Sequence, residues 1–311
     1  MTKFTVKLNQ KTIDQNILKY VGGKAYSLII LAKNKIPSPN GFVVNSCAYD
    51  QFLKENNLTD ITDNLNEASL NDIRHIVAKA KKSILIGNFS KDLVSEIKIR
   101  VKQCAAKRYA VRSSANVEDA HEQSWAGQFE SYLNVRPEEV VGSIKKCWSS
   151  IFSEKVVSYA ATARRISSIK MAVIVQENIE SDVSGVCFTK NPITGDNDIL
   201  IEAVFGLGEL LVQGQAVPDS YEVERGSNII LEVDVNDQFL IYESLKNGGT
   251  RIKKIKNTFK QKLTGKEIVN LAKMAVKIEK IYGKGCDIEW CKKNGNLYIL
   301  QSRPITTGSK K

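Results

Sequence analysis

Apolar residues fall at helical spacing through most of the front half of the chain and bunch into short strand-like runs through the back half. After Gly22-Gly23-Lys24 the apolar positions Leu28, Leu31 and Ala32 share one face of a predicted helix. That helix is expected to stop before Pro37, because a residue preceding proline is pushed out of the helical region. Ile36-Pro37-Ser38-Pro39 then reads as a rigid loop leading into a strand, Gly41-Phe42-Val43-Val44, with Ser46 as the N-cap of a helix ending around Leu53. Ile73, Ile76, Val77 and Ala80 mark one side of one or two helices between residues 55 and 105. Tyr109-Ala110-Val111 predicts a short strand running into the polar cluster Arg112-Ser113-Ser114. Pro137 suits the first turn of a further helix, striped by Val140, Ile144, Trp148 and Phe152.

From residue 171 the texture changes. Met171 to Gln176 is a near-continuous apolar run, typical of a strand buried on both faces, and Val183–Thr189 and Ile199–Ala203 follow as strand candidates. Thr264 and Glu267 have the spacing of a capping box, opening a helix through Ile268, Leu271, Ala275 and Ile278. A hairpin closes the pattern, 286–291 and 297–301, turning through Lys293-Asn294-Gly295. There is no internal repeat and no low-complexity linker. The expected division is a helix-rich lobe, 1–175, and a strand-rich lobe, 176–311.

Composition removes several function classes. A chain of 311 residues with 42% hydrophobic and 25% charged residues can bury a substantial core. Its net charge of +11 invites a nucleic-acid reading, but the lysines and arginines are scattered and no nucleic-acid motif accompanies them. No segment approaches the roughly 20 apolar residues of a membrane helix, and MTKFTVKLNQ lacks a signal-peptide apolar region. The six cysteines form no CxxC pair and there are two histidines, so a zinc site or disulfide framework is not expected. Buried thiols in a reducing cytoplasm are the expectation, with neither nucleic acid nor membrane as partner.

Four segments carry candidate chemistry. Val21-Gly22-Gly23-Lys24-Ala25 sets a lysine beside two glycines at a helix start, where unpaired N–H groups favour an anion; a plain turn with a surface lysine remains open. Arg112-Ser113-Ser114-Ala115, with Ser124-Trp125-Ala126-Gly127-Gln128 beyond it, offers a bidentate phosphate donor, hydroxyls and a glycine loop. A loop with a structural salt bridge also fits, and neither a Walker A sequence nor GxGxxG is present. Gln176-Glu177-Asn178-Ile179 sits at a strand end, where adenine can hydrogen-bond to backbone while resting on apolar groups, or where a strand simply ends.

The fourth is the terminal hairpin. Asp287 and Glu289 project to one face and Ile288 and Trp290 to the other. With a three-residue loop, Asp287 pairs with Gln301 and Glu289 with Ile299, and Asp287, Glu289, Gln301 and Arg303 share a face. A two-residue turn slips the register and sends Gln301 to the opposite face. The polar set suits a Mg-triphosphate: hard oxygen ligands for the metal and an arginine for phosphate charge.

Taken in order, VGGKAYSL with IPSPNGFVV, YAVRSSANVEDAHEQSWAGQFESYLNV, MAVIVQ with SDVSGVCFTKNPITG, IEAVFGLGELLVQGQAVPDSYEV, and GCDIEW with LYILQSRPIT resemble the N-terminal nucleotide-binding domain of the phosphoenolpyruvate synthase, pyruvate phosphate dikinase and rifampin phosphotransferase family. The resemblance runs from about Tyr20 to Ile305. It implies an α+β, ATP-grasp fold with ATP held between two lobes, and a phosphotransferase (kinase of the dikinase type) using Mg-ATP. It further implies that Lys24 and Arg112 contact phosphates, that the loop with Gly127 and Gln128 lies over them, and that Gln176, Glu177 and Ile179 frame the adenine. Glu289 and Gln301 are implied as magnesium ligands, with Asp287 and Arg303 supporting them; Glu202 and Gly206-Leu207-Gly208-Glu209 fall in another motif of the family. Neither His75 nor His121 lies in the context of a phosphohistidine carrier, so the carrier is expected on another domain or a separate protein. The acceptor is pyruvate on this reading; an antibiotic of the rifampin type, another small metabolite, or a non-catalytic nucleotide sensor are the alternatives.

Overall fold

The computed structural model describes residues 3–10, 16–61, 70–116, 129–153, 156, 169–191, 195–256 and 259–305. They form two compact units: Met1–Ile29 with Asn40–Asn178, and Ile30–Pro39 with Ile179–Lys311. The chain passes between units three times, since Ile30–Pro39 belongs with the second unit.

The first unit is built on an antiparallel sheet of five strands in the order β1 (Thr5–Lys7), β2 (Gly41–Val44), β5 (Met171–Glu177), β3 (Tyr109–Ala115) and β4 (Ser131–Val135). Alternation along its strands feeds two cores. Val44, Val111, Val173 and Val175 face a cluster built by helices α2 (Ser46–Glu55), α3 (Leu70–Ile86), α4 (Lys91–Cys104) and α5 (Val140–Ser149). Val43, Ala172 and Ile174 face the other, against Val21, Ala25, Leu28 and Ile29 of α1 (Leu18–Lys33). Covered on both sides, β5 can be apolar throughout, as its unbroken run anticipates. The first core centres on Trp148, whose ring stands 5.4 Å from Tyr49, 5.2 Å from Phe52 and 5.2 Å from Phe89. The stripe of Val140, Ile144, Trp148 and Phe152 is fully buried there.

Three local expectations are revised. The N-cap of α2 is Asn45, whose Oδ1 accepts from Ala48 N–H at 3.1 Å, so Ser46 is already helical. Pro137 opens a short 3₁₀ turn, Pro137–Glu139, ahead of α5. Finally, β3 extends to Ala115, which makes Arg112-Ser113-Ser114 strand residues, two of them fully buried.

The second unit is a six-stranded antiparallel sheet ordered β13 (Asn296–Pro304), β12 (Cys286–Lys293), β6 (Val183–Phe188), β7 (Ile199–Phe205), β8 (Asp219–Val223) and β9 (Ile230–Asp234). A single helical turn, α6 (Glu209–Val212), follows β7, and helix α7 (Gly265–Tyr282) covers one face, its Thr264–Glu267 capping box forming as expected. Ile268, Leu271, Ala272, Ala275 and Ile278 pack on Cys187, Ile201, Tyr221, Ile288 and Trp290. Trp290 stands opposite Gly185, where an added Cβ would overlap the Glu202 carbonyl oxygen and come within 2.8 Å of the Trp290 ring. A second hairpin, β10 (Leu240–Ser244) with β11 (Thr250–Lys254), lies beyond β9 in the chain. Beneath the sheet edge, Lys262 and Asp219 form a fully buried ion pair at 2.5 Å. Asp219 also accepts from Tyr221 OH, Asn236 N–H and Lys262 N–H.

Candidate active site

In the first unit the site residues gather around a break in α1. Gly22 has φ 73 and ψ 168, a conformation open essentially to glycine alone, and it interrupts the helix between Val21 and Ala25. A buried hydroxyl fills the gap. Ser114 Oγ accepts from Ala25 N–H at 3.1 Å and donates to Val21 C=O at 2.7 Å, taking both ends of the bond a continuous helix would make between them. A Cβ on Gly22 would overlap the Ser114 carbonyl oxygen. Lys24, half-buried, thus lies in the first turn after the break.

Arg112 is two residues from Ser114 along β3 and shares its face. The register Ser114↔Ala172, Arg112↔Ile174, Ala110↔Gln176 puts the buried Gln176 on that same face. Lys24, Arg112 and Gln176 are therefore brought to the α1 side of the sheet. Glu177 alternates to the other side, and its N–H donates to Asn40 C=O at 2.7 Å. Asn178 N–H donates to Arg108 C=O, while its Oδ1 accepts from Asn134 N–H at 3.1 Å. Ile179 opens the next stretch of the second unit. Gly127 and Gln128 lie outside the described residues.

In the second unit the hairpin carries the remaining candidates, by a route that differs from the expected one. The turn is the two-residue kind: Lys293 pairs with Asn296, with Asn294 and Gly295 at φ 50 and 77. Both positive angles are what an Asn-Gly type I′ turn demands. The expected pairs Asp287–Gln301 and Glu289–Ile299 are replaced by Asp287–Arg303 and Glu289–Gln301, because Leu300 bulges between Gln301 and Ile299. The extra residue undoes the slip that the short turn creates. Asp287, Glu289, Gln301 and Arg303 share the face away from α7. Nothing in Gln-Ser-Arg-Pro signals the bulge; the Asn-Gly dipeptide did signal the turn.

Arg303 donates to Asp287 Oδ2 from Nε at 2.9 Å and from a terminal nitrogen at 2.7 Å, which orients its guanidinium. Burial pushes the Asp287 carboxyl above its ordinary range and Glu289 adds to that, against the opposing pull of Arg303. Glu289, half-buried, stands directly opposite the buried Gln301. Opposed side chains on adjacent strands lie about 5 Å apart at Cβ, so a carboxylate and an amide oxygen can meet on one small cation. That donor set fits magnesium, which takes one or two protein oxygens and completes its shell with phosphates and water.

Gly206 to Glu209 form the neighbouring loop. Ser181 and Ser184 hydroxyls donate to Gly206 C=O, Leu207 N–H donates to Tyr242 C=O, and Gln238 clamps Phe205 through both its N–H and C=O. Sequence reasoning did not single out Ser181, Ser184 or Gln238. Among the described residues no helix is long and apolar enough to cross a membrane, and all six cysteines are free thiols.

Comparison with known proteins adds the following. The family model of the pyruvate phosphate dikinase AMP/ATP-binding domain matches residues 18–311. A probable phosphoenolpyruvate synthase of Methanothermobacter thermautotrophicus is 35% identical over 301 residues, covering 92% of this chain and 44% of its own length. Its counterpart from Archaeoglobus fulgidus is 35% identical over 310 residues, covering 95% and 41%. A rifampicin phosphotransferase of Bacillus subtilis is 35% identical over 306 residues, covering 95% and 35%. The chain thus spans less than half the length of each of these relatives.

Proposed function

The chain belongs to the family of the pyruvate phosphate dikinase AMP/ATP-binding domain, and from that premise we propose that it passes a phosphoryl or pyrophosphoryl group from Mg-ATP to a carrier histidine on another domain or chain, and so to pyruvate. The observation that carries this reading is the shared face of Asp287, Glu289, Gln301 and Arg303. Lys24 and Arg112 neutralise phosphate charge, while Gln176, with Glu177 and Ile179 through their backbone, frames the adenine. Glu289 and Gln301 would hold magnesium, which would draw charge from the phosphates when bound. Arg303, held by Asp287, meets the charge that develops as the bond to the leaving group breaks. The carrier histidine attacks the β-phosphorus and AMP departs; water then takes the terminal phosphoryl group of the pyrophosphoryl-histidine, releasing inorganic phosphate and leaving phosphoryl-histidine. Positioning and charge neutralisation supply the catalysis. The reading is that of an ATP-grasp protein in a cytoplasmic setting suited to free thiols.

Calorimetric titration with ATP, with and without magnesium, tests it. Tight binding is expected only with the metal, and Glu289→Ala should lose that dependence while keeping the far-ultraviolet dichroism of the parent. ATP binding indifferent to magnesium would overturn the reading. Phosphorus NMR with a supplied carrier domain should then show AMP and phosphate as products, and ADP as sole nucleotide product would overturn the pyrophosphoryl route. An antibiotic acceptor is the second reading, favoured by the rifampicin phosphotransferase that matches at equal identity.

A further inference from the structure

Sheet register places one more carboxylate on the face that carries the proposed magnesium ligands. Gln301 pairs with Glu289, Glu289 with Val186, Val186 with Glu202, and Glu202 with Ser220, a single row across five strands. Residues directly opposed in a sheet send their side chains to the same side. Glu202 therefore faces away from α7, with Glu289 two strands away, about 9.5 Å along the row at the usual strand spacing. Val186 lies between them and offers no polar atom.

Glu202 is half-buried, and among the described residues no hydrogen bond or ion pair reaches its carboxylate. Its oxygens are not shut off from solvent, so the carboxylate is open to an incoming donor. Burial alone raises its pKa, with no charged neighbour contributing, whereas Asp287 feels both Arg303 and Glu289. Two strand spacings and the apolar Val186 separate Glu202 from Glu289. A lone carboxylate with two acceptor oxygens and no proton to give matches a ligand presenting two adjacent O–H donors. On a nucleotide whose phosphates lie over Glu289 and Gln301, that group is the ribose diol.

We propose that Glu202 accepts hydrogen bonds from the ribose 2′- and 3′-hydroxyls of the bound nucleotide and so selects ribonucleotides. The proposal rests on the ATP reading above. Calorimetry of the chain with Mg-ATP and with Mg-2′,3′-dideoxy-ATP tests it, and the wild-type arm needs no variant. The wild type should prefer ATP by about tenfold or more, the loss that follows when a charge-assisted hydrogen bond goes unmade. Glu202→Gln should bring the two affinities together by weakening ATP alone, with its urea midpoint at or above that of the parent. Equal wild-type affinities overturn the inference and leave the ATP reading standing. A Glu202→Gln protein that loses both nucleotides equally, with a shifted magnesium requirement, overturns it in favour of a cation ligand. No binding of either nucleotide by the wild type overturns both readings.

Discussion

Replacing Gly22 with alanine puts a methyl group where α1 breaks and Ser114 enters. Two effects add. The backbone at φ 73, ψ 168 is strained for any residue with a Cβ, at about 1–3 kcal/mol. The new Cβ would also overlap the Ser114 carbonyl oxygen and lie 2.7 Å from its Oγ, so the hydroxyl must withdraw from Ala25 N–H and Val21 C=O. Leaving a buried donor or acceptor unpaired costs about 1–3 kcal/mol. The expected loss is about 4 kcal/mol, a large part of the stability of an ordinary domain. Gly142 supplies the control: it lies in α5 with nothing within 4 Å of an added Cβ, and Gly142→Ala should stabilise by about 0.5–1 kcal/mol. Urea denaturation followed by tryptophan fluorescence reads both, Trp148 reporting on the first unit. A Gly22→Ala protein within 1 kcal/mol of the parent would refute the argument that the break is held by close backbone approach.

Three further outcomes are expected. Lys262→Met leaves the Asp219 charge buried without its cation and should cost about 3–5 kcal/mol in the same assay, with partial recovery on adding Asp219→Asn; a neutral single variant contradicts it. Deleting Leu300 removes the bulge while leaving Glu289 opposite Gln301 and Asp287 opposite Arg303, so magnesium-dependent ATP binding should be retained by calorimetry, while its loss would show that the bulge itself shapes the site. Asp287 has a folded pKa raised above its unfolded value of about 3.9, so its contribution to stability is fully present below that pH and is lost as pH rises through the folded value. Asp287→Asn should accordingly flatten the fall in stability on the alkaline side of that window in urea titrations at stepped pH, and an unchanged slope would show that the group is not desolvated.

Much of this was legible because it is local. The capping box at Thr264 and Glu267, the stripe through Val140 and Trp148, and the unbroken run of β5 each depend on residues within a few positions of one another. Lys24 beside two glycines, and acidic residues alternating with Ile288 and Trp290, likewise announce their faces through period alone. Ser46 was mistaken for the cap because Asn45 and Ser46 are both good caps, and only the bond to Ala48 distinguishes them.

The sequence by itself determined most of the helices, the buried strand β5 and the terminal hairpin, which side of each is apolar, and the family to which its ordered motifs point. Tertiary structure decided what those segments stand beside. The bulge at Leu300 makes the point most sharply, since one unpaired residue in a ladder determines whether Gln301 meets Glu289 or faces α7. The insertion of Ser114 into α1, from 89 residues away, and the row joining Glu202 to Glu289 are of the same kind. Side-chain periodicity is written in neighbouring residues, but register between strands is settled by packing between distant ones, and a shift of one residue reverses every face.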